Sequence, residues 1–301
     1  MKALACLLFC LAFAATSAAA EGAAGKQLKI FISVDMEGIA GAVTNDQLGP
    51  GGFEYERFRE FMTAEALAAV NAARAAGATE ILVGDSHGNG QNLLLERFPP
   101  DVRIVRSSPR PLSMMEGLDS TFDAAVFIGY HSSTSNPRGV RAHTHSSATF
   151  TRVALNGKEA SEGSWNAAIA GELGVPVIMV SGDDVAVAEL ASQIGSLETA
   201  VVKQAISFHA ATTLTPQAAQ QLIAQKTKAA IERLGEFKPY RIGKPITVDL
   251  SFKHYQPPEL LAYLRGVERT DSHTVRYVAE DMVDASRFLE FVTNYNPELA
   301  P

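Results

Sequence analysis

The chain is nearly devoid of cysteine, and its two cysteines, Cys6 and Cys10, both fall within the first ten residues. Beyond them no disulfide framework and no thiolate metal ligand is expected. Any metal must therefore be held by imidazole and carboxylate. Positive charge is also short: 26 Lys and Arg stand against 33 Asp and Glu, a formal charge of −7 with pI near 5.5. That balance argues against a nucleic-acid partner. After the first twenty residues, no apolar run reaches the roughly 20 residues needed to cross a bilayer. No repeat or low-complexity segment stands out.

What stands at the amino end is a short positive start at Lys2, an apolar stretch Leu4–Ala15 and the small residues Ala18-Ala19-Ala20. This is the pattern of a secretory signal peptide over residues 1–20. No lipidation box accompanies it, because bulky Phe9 precedes Cys10 and Cys6 lies too early. The expectation is export, with a bacterial periplasm as destination and no membrane attachment after cleavage.

Buried strands alternate with helices along the next two hundred residues. Leu28–Ile32, Glu80–Gly84, Val102–Val105, Ala124–Gly129, Phe150–Leu155 and Val175–Val180 read as strands. Apolar residues at helical spacing predict a helix from about Tyr55 to Ala76, ended by Gly77. A shorter helix is expected over Asn92–Arg97, and another from Ser161, its cap, through Trp165 to Glu172. The pattern predicts an α/β fold: a mostly parallel sheet with helices on both faces, over residues 21–210. A smaller α+β domain is expected over residues 211–301. It has an amphipathic helix Thr215–Leu234, a strand Pro245–Phe252, a helical stretch Pro257–Arg265, a strand Thr274–Val278 and a closing helix Asp281–Tyr295. With no clustered ligand residues, it reads as a support or oligomerisation unit.

Four strands of the first part turn polar at their carboxyl ends, giving Asp35/Glu37, Asp85/His87, His131 and Asp183/Asp184. In open α/β sheets that edge is where ligands bind. Asp35 and Glu37 are two apart in extended backbone and so share a side, and Gly38 permits a sharp turn after them. Two like charges at the end of a core strand are costly unless a cation holds them. Of seven histidines, His87, His131, His143 and His145 cluster in this part, whereas His209, His254 and His273 stand apart and read as ordinary histidines. Spacing alone does not choose between His143 and His145. Glu162 opens the third helix, with Asn166 one turn later on the same face; taken singly it reads as a complement to the helix dipole. Carboxylates and imidazoles without sulfur suit Zn²⁺, and also Mn²⁺, Co²⁺ or Ni²⁺. The set exceeds the three ligands of a single catalytic zinc and suits two metals sharing a carboxylate.

Ser33-Val34-Asp35-Met36-Glu37-Gly38, Asp85-Ser86-His87, Gly129-Tyr130-His131, the His143-Thr144 segment and Glu162 together resemble the D-aminopeptidase family of dinuclear zinc metallopeptidases. The resemblance runs from about Leu28 through Asp184. It implies two zinc ions per subunit, with Asp35 bridging, Glu37 and His131 completing one site, and His87 and Glu162 the other. It places the family's catalytic histidine at His143, although this chain has a second candidate in His145 and a longer Ser132–Arg141 loop. It further implies release of amino-terminal D-residues such as D-Ala from short peptides, and a homo-oligomer, possible decameric rings included. Two rival readings stand beside it. A di-metal phosphoesterase would need a cation aimed at phosphate, for which Arg138, Arg141 and Arg152 are the nearby candidates. A non-enzymatic metal- or solute-binding protein would tend to two similar lobes, which the unequal halves disfavour.

Overall fold

The computed structural model describes residues 27–295; the expected signal peptide lies outside them. In chain order the elements are β1 (Lys29–Val34), α1 (Asn45–Leu48), α2 (Tyr55–Ala75), β2 (Glu80–Asp85), β3 (Arg103–Val105), β4 (Ala124–Tyr130), β5 (Phe150–Leu155), β6 (Lys158–Glu159) and α3 (Glu162–Glu172). They continue with β7 (Val177–Asp183), α4 (Asp184–Ile194), β8 (Glu198–Ser207), β9 (Ala210–Thr213), α5 (Pro216–Glu232), β10 (Ile246–Phe252), α6 (Gln256–Leu261), β11 (Val267–Arg269), β12 (Thr274–Ala279) and α7 (Met282–Asn294). Among these helices none is long and apolar enough to cross a membrane.

The first sheet has the order β3-β2-β1-β4-β7-β8-β9 and is parallel except for β9, which runs antiparallel to β8. Its inner strands β1 and β4 carry buried apolar residues on both sides, as burial on both faces requires. Ile30, Ile32 and Val34 of β1 pack with Phe58, Met62 and Val70 of α2 and with Ile223 and Ile231 of α5. Phe31 faces the other way, into a core shared with Trp165 and Ile169 of α3, Leu289 of α7 and the strands of a second sheet. The expected α/β class, with helices on both faces of a mostly parallel sheet, is the one observed.

The second sheet, β11-β12-β10-β5-β6, is antiparallel throughout. It takes β5 and β6 from before residue 210 and β10–β12 from after it, with β5 pairing directly to β10. Several details differ from the sequence pattern. Asn92–Arg97 forms only a 3-10 turn at Leu95–Arg97, because the backbone N–H groups of Asn92 and Leu93 donate to Asp85 Oδ2 instead of entering a helix. Helix α6 stops at Leu261, and the segment from 184 to 213, unassigned from the pattern, holds α4, β8 and β9.

The chain goes out from β1 to β2 and β3 on one side and returns to β4 on the other, so the direction of winding switches between β1 and β4. The carboxyl ends flanking such a switch form a crevice. Here they are stitched tightly together: Asp35 N–H donates to Ile128 O at 2.8 Å and Gly38 N–H to Gly129 O at 2.7 Å. A Cβ on Gly38 would lie 2.1 Å from Tyr130 O, and one on Gly129, whose φ is +74°, 2.2 Å from Asp35 O. Only glycine lets the two strand ends approach this closely.

Candidate metal centre

Asp35 and Glu37 follow β1, His87 follows β2, His131 follows β4, and Glu162 is the first residue of α3. All five are buried. His87 Nδ1 lies 2.8 Å from Glu37 Oε2 and 3.2 Å from Asp35 Oδ1. His131 Nε2 lies 3.3 Å from both Asp35 Oδ2 and Glu162 Oε2, and His143 Nε2 lies 3.6 Å from Glu162 Oε1. Asp35 thus stands between two imidazoles. Ligand atoms of Asp35, Glu37 and His131 fall within 4.8 Å of one another, as do those of His131, His143 and Glu162.

The far nitrogen of each ring is tied to backbone. His87 Nε2–H donates to Leu48 O at 2.6 Å, His131 Nδ1–H to Ser132 O at 3.1 Å, and His143 Nδ1–H to Arg141 O at 2.8 Å. A histidine that ligates a metal commonly donates its other N–H this way, which fixes the tautomer and the ring plane. The nitrogens left over all face carboxylate oxygens, so lone pair meets lone pair unless a proton or a cation lies between. Asp35 Oδ2 and His131 Nε2 are buried without any hydrogen-bond partner, an arrangement rarely left standing in a native protein. The donor set of three carboxylates and three imidazoles fits a divalent cation such as zinc.

The electrostatics agree. Burial and the charge of Glu37 push the Asp35 carboxyl up, against the pull of His131 and His87. Burial also works against Glu37, but the charge and hydrogen bond of His87 outweigh it and hold Glu37 well below the usual range. Glu162 is likewise brought down to about 2, because His131 outweighs its burial. In return, His87 and His131 rise well above the usual histidine value: desolvation opposes this, and Glu37 and Glu162 respectively overcome it. A field that draws protons onto two buried imidazoles is one that a bound cation can satisfy instead.

His143 and His145 do not face one way. The backbone is left-handed at Arg141 and at His145, so the segment is kinked where an extended one would align the rings. The His143 ring stacks on His131 at 4.0 Å and remains partly exposed. That of His145 packs edge-on to Trp165 at 5.8 Å, and burial pushes its pKa down. The backbone N–H of His145 donates to Glu162 Oε1 at 2.7 Å, aiming that carboxylate. Glu162 itself is placed by the Ser161 cap, whose Oγ accepts from Ser164 N–H.

Other polar strand ends serve the scaffold. Asp85 accepts from Asn92 and Leu93 and shapes the loop after His87. Asp183 caps α4, and Asp184 accepts from Ala205 N–H. Asn166 donates to Tyr130 OH at 3.0 Å and not to a carboxylate of the cluster.

The profile of the D-aminopeptidase family matches residues 28–291. The chain belongs to that family. The D-aminopeptidase of Bacillus subtilis strain 168 is 36% identical over 267 residues, covering 88% of this chain and 97% of the relative. The solved structure of the Zn-dependent D-aminopeptidase DppA from Bacillus subtilis, described as a self-compartmentalizing protease, superposes with a TM-score of 0.85 at 36% identity, again over 88% and 97% of the two chains.

In this member of the D-aminopeptidase family the cluster opens into a cavity of about 280 Å³. Its lining includes Arg110, from the loop preceding β4, and Glu290 and Asn294 of α7, so the last helix reaches the site. None of the arginines considered from the sequence lines it: Arg141 donates to Asn45 Oδ1 and covers Phe208, and Arg152 pairs with Glu159. Behind the cluster, two residues invisible to motif reading fasten the loop after β1. Lys203 of β8, fully buried, donates from Nζ to the carbonyls of Glu37, Ile39 (3.1 Å) and Ala42 (2.6 Å). Glu65 of α2 accepts from Ala40 N–H at 2.9 Å. The one local signal for Lys203 is a lysine closing the otherwise apolar run Ala200-Val201-Val202.

Proposed function

We propose that this protein is an exported D-aminopeptidase that releases amino-terminal D-residues, D-Ala foremost, from short peptides, holding two zinc ions per subunit. The observation that carries this is the convergence of three carboxylates and three backbone-anchored imidazoles at one sheet edge, where Asp35 Oδ2 and His131 Nε2 have no other partner. Asp35 is the proposed bridging ligand, its position between His87 and His131 supporting that role. Glu37 and His131 are assigned to one ion, His87 and Glu162 to the other. The same donors accommodate Mn²⁺, Co²⁺ or Ni²⁺. When bound, such a pair polarises the scissile carbonyl and lowers the pKa of water.

The remaining work falls to this chain's own side chains. His143, with Nδ1–H held by the Arg141 carbonyl, presents Nε2 to the cavity, where it takes or gives a proton or supports the developing oxyanion. A ligand role for His143 is the second reading, favoured by its compact grouping with His131 and Glu162.

Assembly into a homo-oligomer, with a decameric ring as the proposed form, is supported by the self-compartmentalizing character of the Bacillus subtilis relative. Exposed Tyr255, Leu260, Tyr263 and Phe291 in the carboxyl-terminal unit offer apolar surface for it. Export to a periplasm rests on the apolar run Leu4–Ala15 and the small residues after it.

Hydrolysis of paired D- and L-alanyl amides by the zinc-loaded protein tests the activity, with metal analysis and light scattering on the same preparation. The expected outcome is a D-preference of at least about tenfold, worth about 1.4 kcal/mol in the barrier, about two metals per chain and a mass many times that of one chain. Preference for the L-amide, or hydrolysis of a phosphodiester in place of either, overturns the reading.

A further inference from the structure

The ionisable side chains lining the cavity beside the acid–histidine cluster are carboxylates and imidazoles with one exception. Arg110 is the single arginine or lysine among its described lining residues. Its guanidinium is mostly withdrawn from water and poorly matched. Nη1 donates to Asp85 O at 3.0 Å, on the strand end that carries His87. Nε is buried without an acceptor, and among the described residues no carboxylate lies within ion-pair distance of it. Glu290, the acid whose charge Arg110 feels most, spends Oε2 on the backbone N–H of Arg110 at 3.2 Å and on Asn294 Nδ2 at 3.0 Å.

A guanidinium taken out of water with no carboxylate in ion-pair contact bears a desolvation cost that the charges of Glu290, Asp85 and Glu116 offset only in part. Its planar fork of donors is matched to a carboxylate or phosphate. The missing anion therefore arrives with the ligand. The scissile bond of an aminopeptidase substrate adjoins its amino end, so on the reading proposed above that end sits at the acid–histidine cluster and the rest of the chain extends into the cavity. A peptide advances at most about 3.3–3.6 Å per residue. The cavity, at about 280 Å³, lies at the lower limit of ordinary ligand pockets, which begin near 300 Å³. So confined a space suits a short peptide, whose terminal carboxylate is the anion free to meet Arg110.

We infer that Arg110 binds the carboxyl-terminal carboxylate of the substrate and so makes the enzyme selective for short peptides with a free carboxyl end. The inference rests on the D-aminopeptidase reading and names the substrate class of the same site. Arg110 is a specificity residue: it touches the end of the substrate remote from the scissile bond. Neither Arg138, Arg141 nor Arg152 lines the cavity to do so.

The test compares D-Ala-D-Ala with D-Ala-D-Ala amide, which differ in the terminal carboxylate alone, on zinc-loaded enzyme. The readout is the ratio of the two kcat/KM values, measured within one preparation so that any inactive or metal-poor fraction cancels. Wild type is expected to favour the free acid by about tenfold or more, Arg110→Met to bring the ratio close to one, and Arg110→Lys to retain part of the preference. A wild-type ratio near one overturns the inference without any variant having to fold, and so does a ratio unchanged in Arg110→Met. Cleavage of both peptides at equal rates sinks the role of Arg110 and spares the peptidase; cleavage of neither sinks both.

Discussion

His143 and His145 are two residues apart and have different work. The partly exposed His143 ring stacks on His131 and faces the cavity, whereas His145 contributes its backbone N–H to Glu162 and buries its ring on Trp165. His143→Ala is expected to lower kcat/KM by about 10²–10⁴ with the bound zinc retained. His145→Ala keeps the N–H that aims Glu162 and is expected to lose less than about tenfold. Metal analysis and steady-state kinetics on the two variants check this. Zinc lost from His143→Ala would reassign that residue as a ligand, and equal damage from both variants would remove the distinction. At this scale Asp35, Glu37, His87 and His131 were legible because each lies just past an apolar strand. Arg110 was not: nothing in Pro109-Arg110-Pro111 announces which cavity it lines.

The loop after β1 is where elements distant in sequence act on the site. It carries Glu37 and is held from behind by Glu65 of α2 and Lys203 of β8. Burial raises Glu65 to about 7, against the pull of Ala40 N–H and Lys203, and lowers Lys203 to about 8, against the pull of Asp183 and Glu65. For Glu65 the sign follows from proton counting. Between about pH 4.5 and 7 the folded protein keeps a proton that the unfolded chain has released, so this carboxyl's contribution to stability falls as pH rises through that window. The loss is of order 3 kcal/mol, at about 1.36 kcal/mol per pH unit. Glu65→Gln, isosteric and always neutral, is expected to flatten this part of the profile. Urea unfolding of zinc-loaded wild type and variant at pH 5 and pH 7 measures it, and parallel profiles would mean that Glu65 is ionised throughout.

For the molecule as a whole, the cluster concentrates three buried carboxylates that only protonated imidazoles or a cation can balance. Removal of the metal is expected to lower Tm by several degrees, since a ligand at about a hundred times its Kd contributes about 2.7 kcal/mol and each kcal/mol moves Tm by about 2–4 °C in chains of this size class. Scanning calorimetry with chelator, and then with graded zinc, follows the recovery. A Tm indifferent to both would remove the case for a metal at this site.

The sequence alone determined the α/β class, the main strands and the acids and imidazoles at the candidate site, because apolar runs, helical spacing and polar strand ends are local signals. The tertiary structure alone decided what depends on chain segments meeting across long separations. It joined β5 to β10 in one sheet, brought Lys203 beneath the loop of Glu37, and set α7 and Arg110 against the acid–histidine cluster. It also turned His143 and His145 apart, since left-handed backbone at Arg141 and His145 leaves no mark in the pattern of side chains. Periodicity records which face a residue shows, but not which distant segment that face will meet.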